Sequence, residues 1–275
     1  MTLAQALQQA AAAGVARLDA QLLLLHVLGR SADDRAWLIA HDGDALPPAQ
    51  AQAFQSTSAR RTAGEPLAYL TGVKEFFGLP LQVDARVLVP RPDTETLVTW
   101  ALELLAGTAS PRVIDLGTGS GAIALAIQQA RPDAQVEAVD RSADALAVAA
   151  GNAQRLGLPV HFRQADWLAG ATGTYDLIVS NPPYVAVGDP HLAALRHEPA
   201  QALVSGQDGL DDIRRIVAAA PDRLRSERWL LLEHGWDQAA PVRALLTQAG
   251  LADACSRDDL AGIARCSGGR RLELG

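Results

Sequence analysis

Asn181, Pro182, Pro183 and Tyr184 follow the apolar run Tyr175–Ser180, whose centre, Leu177, Ile178 and Val179, reads as a buried strand. A residue before proline is pushed out of the helical region, so Asn181 is held extended. Pro182 and Pro183 have fixed φ and no N–H, so the turn is stiff and presents carbonyl oxygens only. Tyr184 adds a flat ring. Acceptors on a rigid turn beside an aromatic face suit a planar group carrying an NH2. A second constellation lies upstream in VIDLGTGSGAIALA (residues 113–126), which reads as strand, glycine loop and helix. Gly117, Gly119 and Gly121 let the backbone turn sharply and approach a ligand. The N–H groups opening the next helix favour a negative group.

Taken alone, that loop is ambiguous. Gly117, Gly119 and Ala122 satisfy the relaxed dinucleotide fingerprint. Asp140 ends the next strand about 20 residues later, where an acid binds ribose hydroxyls. Both features fit a nicotinamide cofactor and S-adenosylmethionine equally well. Asp166 and Trp167 follow the third strand, where an acid could reach an adenine amino group and an indole could cover its ring. The tie breaks at residues 181–184: a dinucleotide oxidoreductase has no use for that turn, whereas a methyltransferase acting on a planar NH2 does.

The elements that must hold these residues alternate. Strands are expected at 112–116, 135–140, 160–165, 175–180 and 229–233, with a final pair near 251–258 and 270–274. Helices are expected at 120–130, 142–156, 210–224 and after Trp236, and another starts near Asp93. Such alternation gives a doubly wound, mainly parallel α/β sheet, whose ligands lie beyond the carboxyl ends of the strands. Residues 1–70, rich in Ala, Leu and Gln, read as a small helical domain. It should hold a helix around Leu18, Leu22, Leu25 and Leu28 capped by Gly29, a short helix 31–40 with Ser31 at its N-cap, and one from Pro47–Pro48 to about Ala63. Residues 71–90 read as a β-hairpin connector, with Gly78–Leu79–Pro80 as its turn and Phe76 and Phe77 on one strand. Residues 91–275 form the catalytic domain.

Hydrophobic residues make up 49% of the 275 and charged residues 20%, as in a globular chain. A net charge of −7 without a Lys/Arg-rich run argues against stable binding to nucleic acid. Cys255 and Cys266 are too few for a disulfide framework and have no metal-ligand spacing, so packing is their expected role and no metal is expected. His26 and His41 read as structural or surface residues. No signal peptide or membrane span is recognised, and the apolar run at 22–29 is far shorter than the roughly 20 residues a span needs. A cytoplasmic enzyme without membrane contact is the expectation.

With these residues in place, the chain resembles a family. DLGTGSG, the Val139–Asp140 pair, Ala165–Asp166–Trp167 and Asn181–Tyr184 are similar to the class I S-adenosylmethionine-dependent amino-methyltransferases. VLVPRPDTE (87–95), EFFG (75–78), HEPAQAL (197–203) and DLAGIARCSGGR (259–270) narrow the resemblance to the release-factor glutamine methyltransferases, over nearly the whole chain. Relatives that modify a ribosomal protein usually differ at PRPDTE. The resemblance implies a seven-stranded Rossmann-like methyltransferase sheet and an N-terminal helical domain that helps hold the partner. It implies S-adenosylmethionine as cofactor, bound through Gly117, Thr118, Gly119, Ser120, Gly121, Asp140, Asp166, Trp167 and Asn181. Its implied substrate is the glutamine of the Gly-Gly-Gln motif in class I peptide-chain release factors, held by Asn181, Pro182, Pro183 and Tyr184. The terminal strand carries Cys266–Ser267–Gly268–Gly269 where a more apolar edge strand is expected.

An amide nitrogen is a poor nucleophile, because its lone pair is delocalised into the carbonyl. In the expected mechanism the side-chain oxygen of Asn181 and the backbone oxygen of Pro182 accept the two amide hydrogens, while Tyr184 packs on the amide plane. These acceptors face the nitrogen on which positive charge develops. The nitrogen becomes acidic only as the methyl arrives, so no general base and no catalytic histidine is nominated. The alternatives are methylation of a DNA or rRNA base, or of a ribosomal-protein glutamine; more remote are a nicotinamide-dependent oxidoreductase and a non-catalytic binding module.

Overall fold

The computed structural model describes residues 1–273, which divide into two compact units, Met1–Val73 and Lys74 onward. The first is helical: α1 (Leu3–Ala12), α2 (Arg17–Val27), α3 (Arg35–Ala40), α4 (Pro48–Thr62) and α5 (Leu67–Thr71). Thr2 and Gln5 open α1 with a reciprocal capping box, and Gly29 ends α2 in the left-handed conformation. Leu3, Leu23, Leu24, Leu25 and Phe54 fill this unit's core. The helix expected from Ser31 begins only at Arg35. The Ser31 hydroxyl accepts from the Asp33 N–H at 3.3 Å and closes a turn, which competes with helix at this point.

β1 (Val73–Phe76), which lies in the second unit from Lys74 on, and β2 (Leu79–Gln82) form the hairpin. Its turn is Phe77–Gly78, both at positive φ, and not Gly78–Leu79–Pro80. Glu75 and Glu95 hold the two strained residues by accepting from the N–H groups of Gly78 and Phe77. Phe76, Leu79 and Leu81 are buried in the core of this unit, so the hairpin is part of its packing.

The remaining strands are β3 (Arg112–Leu116), β4 (Gln135–Asp140), β5 (His161–Gln164), β6 (Tyr175–Ser180), β7 (Leu224–Glu233), β8 (Leu251–Asp258) and β9 (Ala264–Arg271). They form one seven-stranded sheet in the order β5-β4-β3-β6-β7-β9-β8, parallel except for β9, which runs antiparallel to both neighbours. The helices are α6 (Thr94–Leu105), α7 (Ala122–Ala130), α8 (Ala143–Leu156), α9 (Asp211–Ala219) and α10 (Ala239–Gln248). Alternate side chains divide the strands between two cores. Leu177 and Val179 join α6 and α7 on one face; Ile178 joins α9 and α10 on the other.

Three expected boundaries change. The helix expected through Leu224 stops at Ala219, and β7 starts at Leu224, five residues before the expected start. Between its pairings with Tyr175 and Leu177 the register shifts, and Glu227 in that interval has a φ of +64°. The last strand lies at Ala264–Arg271, upstream of the expected 270–274; residue 274 falls outside the described residues. It is an inner strand between β7 and β8. There a glycine is required at 268, because a Cβ on Gly268 would stand 2.5 Å from Leu231 Cδ2 and 2.9 Å from the Leu230 oxygen. Cys266 is buried as expected, whereas Cys255 is exposed on β8.

The strand order reverses between β3 and β6. At their carboxyl ends Leu116 pairs with Ser180, and the Ser180 hydroxyl donates to the Leu116 oxygen at 2.7 Å. The glycine loop after β3 and the proline turn after β6 therefore emerge side by side, at the switch point where ligands bind in such sheets.

Candidate active site

The glycine loop is fixed from both ends. The N–H groups of Gly117 and Thr118 donate to the Val139 oxygen at 2.8 and 2.9 Å, and Gly121 donates to the Thr118 oxygen at 2.8 Å. Gly117 has a φ of +72°, and a Cβ there would touch the Trp167 ring at 3.0 Å, so glycine is needed for the close approach. Asp115, fully buried below the loop, accepts from the Thr118 hydroxyl at 2.7 Å and the Ala124 N–H at 3.3 Å. Burial pushes its carboxyl up to about 7. The opening of α7, expected to face a ligand anion, thus already donates to an internal acid. Sequence reasoning assigned Asp115 no role, although its place just before the loop was visible.

Asp140 ends β4 beside this loop. Its Oδ2 accepts from the Gly119 N–H at 3.0 Å and its Oδ1 from the Ser142 N–H at 2.9 Å. A carboxylate has about four lone-pair sites, so two acceptors remain for a diol. Trp167, at a φ of +51°, donates its indole N–H to Asp212 Oδ1 at 3.2 Å, which fixes the ring against Gly117. Asp166 is half-exposed and ion-paired with Arg215. Gly117, Gly119, Asp140, Asp166, Trp167, Asn181 and Pro183 line one cleft, closed on one side by Arg141, which donates to the Gln201 oxygen at 2.8 Å. Thr118 and Ser120 are buried behind the loop and do not line this cleft.

A second cleft, lined by Arg91, Tyr184, Leu195, Glu198 and Leu203, shares Leu88, Asn181 and Ala202 with the first. Of these three shared residues, Asn181 alone carries a polar side chain. Its Nδ2 donates to the Thr94 hydroxyl at 3.3 Å, which leaves Oδ1 as the free end of the amide. Pro182 and Pro183 are buried. The Tyr184 hydroxyl donates to Glu233 Oε1 at 3.3 Å, and its backbone oxygen accepts from Gln238 Nε2 at 3.0 Å. Burial, with Glu233 adding, raises the phenol well above its usual range, so it stays protonated. Glu233 itself is pushed up to about 7 by burial.

Two stretches distant in sequence meet here. Glu198 accepts from the Val89 N–H at 3.0 Å and pairs with Arg91 at 2.5 Å, so VLVPRPDTE is tied to HEPAQAL over the second cleft. Thr94 and Glu198 lie within VLVPRPDTE and HEPAQAL, motifs that carried the resemblance without a role for either residue, and Glu233 carries no signal of its own in sequence; the pairing of distant segments gives them a place at the site. Among the described residues, no group of three or more His, Cys, Asp or Glu is placed to hold a metal, and no helix is long and apolar enough to cross a membrane.

The family model of the methyltransferase small domain matches residues 95–230, and that of the PrmC N-terminal domain matches residues 2–72. The chain is 55% identical over 260 residues to the release factor glutamine methyltransferase of Bordetella pertussis, covering 93% of this chain and 95% of that one. It is 50% identical to the Xylella fastidiosa (strain Temecula1) protein of the same name, covering 96% and 97%. The Escherichia coli protein of that name is 44% identical, with 91% of each chain covered. In fold it is similar to the catalytic domain of hMettl16 in complex with a MAT2A 3′UTR hairpin, with a TM-score of 0.60, 16% identity and 82% of each chain covered. A Thermus thermophilus 16S rRNA N2 G1207 methyltransferase solved with AdoMet and guanosine has a TM-score of 0.53 at 19% identity, covering 72% of this chain and 49% of that one.

Proposed function

The chain belongs to the release factor glutamine methyltransferase family, and on that premise we propose that it transfers the methyl group of S-adenosylmethionine to the side-chain amide nitrogen of the glutamine in the Gly-Gly-Gln motif of class I peptide-chain release factors. The observation that carries this reading is the position of Asn181, the polar side chain shared by two clefts, with its oxygen end free. One cleft has what a nucleoside with a cationic amino-acid tail needs: a close-approach glycine, a carboxylate with free acceptors and a fixed indole. Bound there, S-adenosylmethionine supplies an electrophilic sulfonium methyl.

In this mechanism Asp140 accepts from the ribose hydroxyls, Gly117 and Gly119 admit the ligand to the backbone, and Trp167 covers the adenine ring. Asp166, exposed on the cleft and paired with Arg215, would accept from the adenine amino group. Asn181 Oδ1 and the Pro182 backbone oxygen accept the two hydrogens of the substrate amide, and Tyr184 packs on its plane. As charge grows on nitrogen, these fixed acceptors bind it more strongly than in the ground state. Holding the amide in line supplies much of the remaining acceleration. As the N–CH3 bond forms, the sulfonium S–CH3 bond would break to leave S-adenosylhomocysteine, and the surplus proton on the acidic N-methyl amide would pass to solvent water, so no side chain in the site needs to act as a base.

The helical unit at residues 1–70 is assigned to holding the folded partner in the cytoplasm, with the catalytic domain beyond residue 91. The glycine loop, Asp140 and residues 181–184 all lie outside that unit. Deleting residues 1 to about 70 is therefore expected to leave S-adenosylmethionine binding measurable by calorimetry while methylation of intact release factor falls sharply. Equal turnover of the folded partner by the truncated enzyme would contradict this division. The substrate itself is tested by offering release factor, ribosomal proteins, total RNA and DNA in parallel with tritium-labelled S-adenosylmethionine. Label in release factor alone is expected; label in nucleic acid would overturn the assignment.

A further inference from the structure

Trp167 follows β5 in a conformation that a bulky side chain rarely adopts, with a φ of +51°. Such a residue persists only where its surroundings hold it. Its indole N–H can only donate, and it reaches Asp212 Oδ1 at 3.2 Å. Asp212 stands in the first turn of α9 and is itself buried. Its other oxygen, Oδ2, accepts from the Ser205 hydroxyl at 2.8 Å, and its N–H donates back to the Ser205 oxygen at 2.8 Å. Arg215 lies 3.6 Å from Oδ1 and also pairs with Asp166. One carboxylate thus has one oxygen on the indole of the first cleft and the other on a buried serine.

Ser205 belongs to the segment that holds the chain leaving the proline turn. Val185, the residue after Tyr184, donates its N–H to the Leu203 oxygen at 2.9 Å, and its own oxygen accepts from the Ser205 N–H at 2.9 Å. The Val187 N–H donates to the Gly206 oxygen at 2.8 Å. Gly209 has a φ of +75° and lies so close that a Cβ there would collide with the Tyr184 oxygen. Tyr184, Val185 and Leu203 all line the second cleft. The path from the indole to the substrate turn therefore runs Trp167, Asp212, Ser205, Val185, and each link is a hydrogen bond.

Building on the methyl-transfer reading above, we propose that Asp212 is a positioning residue shared by the two clefts: it fixes the Trp167 indole in the cofactor cleft and, through Ser205, the segment after Tyr184 that frames the substrate amide. Asp212 lines neither cleft, so it acts through these neighbours and not on a ligand. The indole demands an acceptor, whereas the serine hydroxyl can either give or receive. An asparagine at this position meets both needs. Its oxygen takes the indole N–H, and its NH2 donates to the Ser205 oxygen, which has a second lone pair beside the one used by the N–H of residue 212. An alanine meets neither, and it leaves the indole N–H and the Ser205 hydroxyl without their acceptor.

With wild-type enzyme first shown to bind S-adenosylmethionine and to methylate release factor, Asp212→Ala is expected to raise the Kd for S-adenosylmethionine about 10-fold. Its kcat at saturating cofactor should also fall about 10-fold. Asp212→Asn should keep both values near wild type. Trp167→Phe retains a ring face but has no N–H, so adding Asp212→Ala to that variant should raise Kd little further, as a double-mutant cycle reads directly. Ser205→Ala should lower kcat with Kd nearly unchanged, because only the arm toward Val185 is cut. An unchanged Kd in Asp212→Ala would overturn the proposal. So would an equal rise with and without the indole N–H, which is what a general weakening of the fold gives. An asparagine variant as poor as the alanine one would also overturn it, by making charge and not an acceptor the requirement. A normal kcat at saturating cofactor in both Asp212→Ala and Ser205→Ala would confine Asp212 to the first cleft and refute the shared role. A wild-type enzyme that binds no S-adenosylmethionine, or is inactive on release factor, would instead refute the methyl-transfer reading itself.

Discussion

Asn181→Ala is expected to lower the single-turnover rate of release-factor methylation by about 100- to 1,000-fold, the scale seen when one preorganised electrostatic partner is removed from a site. The alanine leaves no side-chain acceptor shared by the two clefts, and the Thr94 hydroxyl loses the Nδ2 group it accepts from. The lost interaction strengthens as charge grows on the substrate nitrogen, so the fall should appear in kcat and kcat/KM alike and not as a raised KM alone. Asn181→Asp retains an acceptor and should keep part of the activity. Tyr184→Phe should be mild, because the ring face survives and Thr94 still orders Asn181, whereas Tyr184→Ala removes the face. The measurement is rapid-quench methylation at saturating cofactor, with cofactor binding checked separately. A near wild-type rate in Asn181→Ala would make the turn a structural feature and place the glutamine amide elsewhere.

The second large effect concerns the cofactor. Asp140→Ala is expected to weaken S-adenosylmethionine binding by about 10- to 100-fold, since hydrogen bonds to a charged acceptor contribute about 1.5–3 kcal/mol. Two losses combine in that variant. The ribose acceptors go, and so do the bonds that hold Gly119 and Ser142. Asp140→Asn separates them, because its single oxygen can serve the loop or the ribose but its NH2 opposes a backbone N–H. Calorimetry should rank the affinities wild type, then Asn, then Ala, with Tm little changed. Unchanged affinity in Asp140→Ala would remove Asp140 from the cofactor site.

The parallel sheet was legible because its strands are short, nearly continuous apolar runs separated by helical periods, as Tyr175–Ser180 illustrates. β7 was only half visible. Its first residues, Leu224–Arg228, are mostly polar and exposed, and the register shift there hides any alternation. The hairpin turn was misplaced by one residue because it puts Phe77 at positive φ, which a bulky residue rarely adopts. β9 looked like a weak edge because its glycines have no side chains to read, yet the close approach of Leu231 is what demands Gly268.

The candidate site divides in the same way. The glycine loop, Asp140 and residues 181–184 each follow a recognisable strand, so their common rim could be inferred. The supports could not. Thr94 looked like a first-turn helix residue and Glu233 like a charge at a strand end, and only the folded chain brings Thr94 to Asn181 and Glu233 to Tyr184. Thr118 and Ser120 show the converse: they sit within the motif yet face the interior, Thr118 toward Asp115.

Tandem mass spectrometry of the partner tests the central claim most directly. Purified class I release factor, incubated with this enzyme and S-adenosylmethionine, should gain a single methyl group on the side-chain nitrogen of the glutamine in its Gly-Gly-Gln motif. A release factor carrying asparagine at that glutamine should gain none. A methyl group on any other residue, or equal modification of the asparagine variant, would contradict the account.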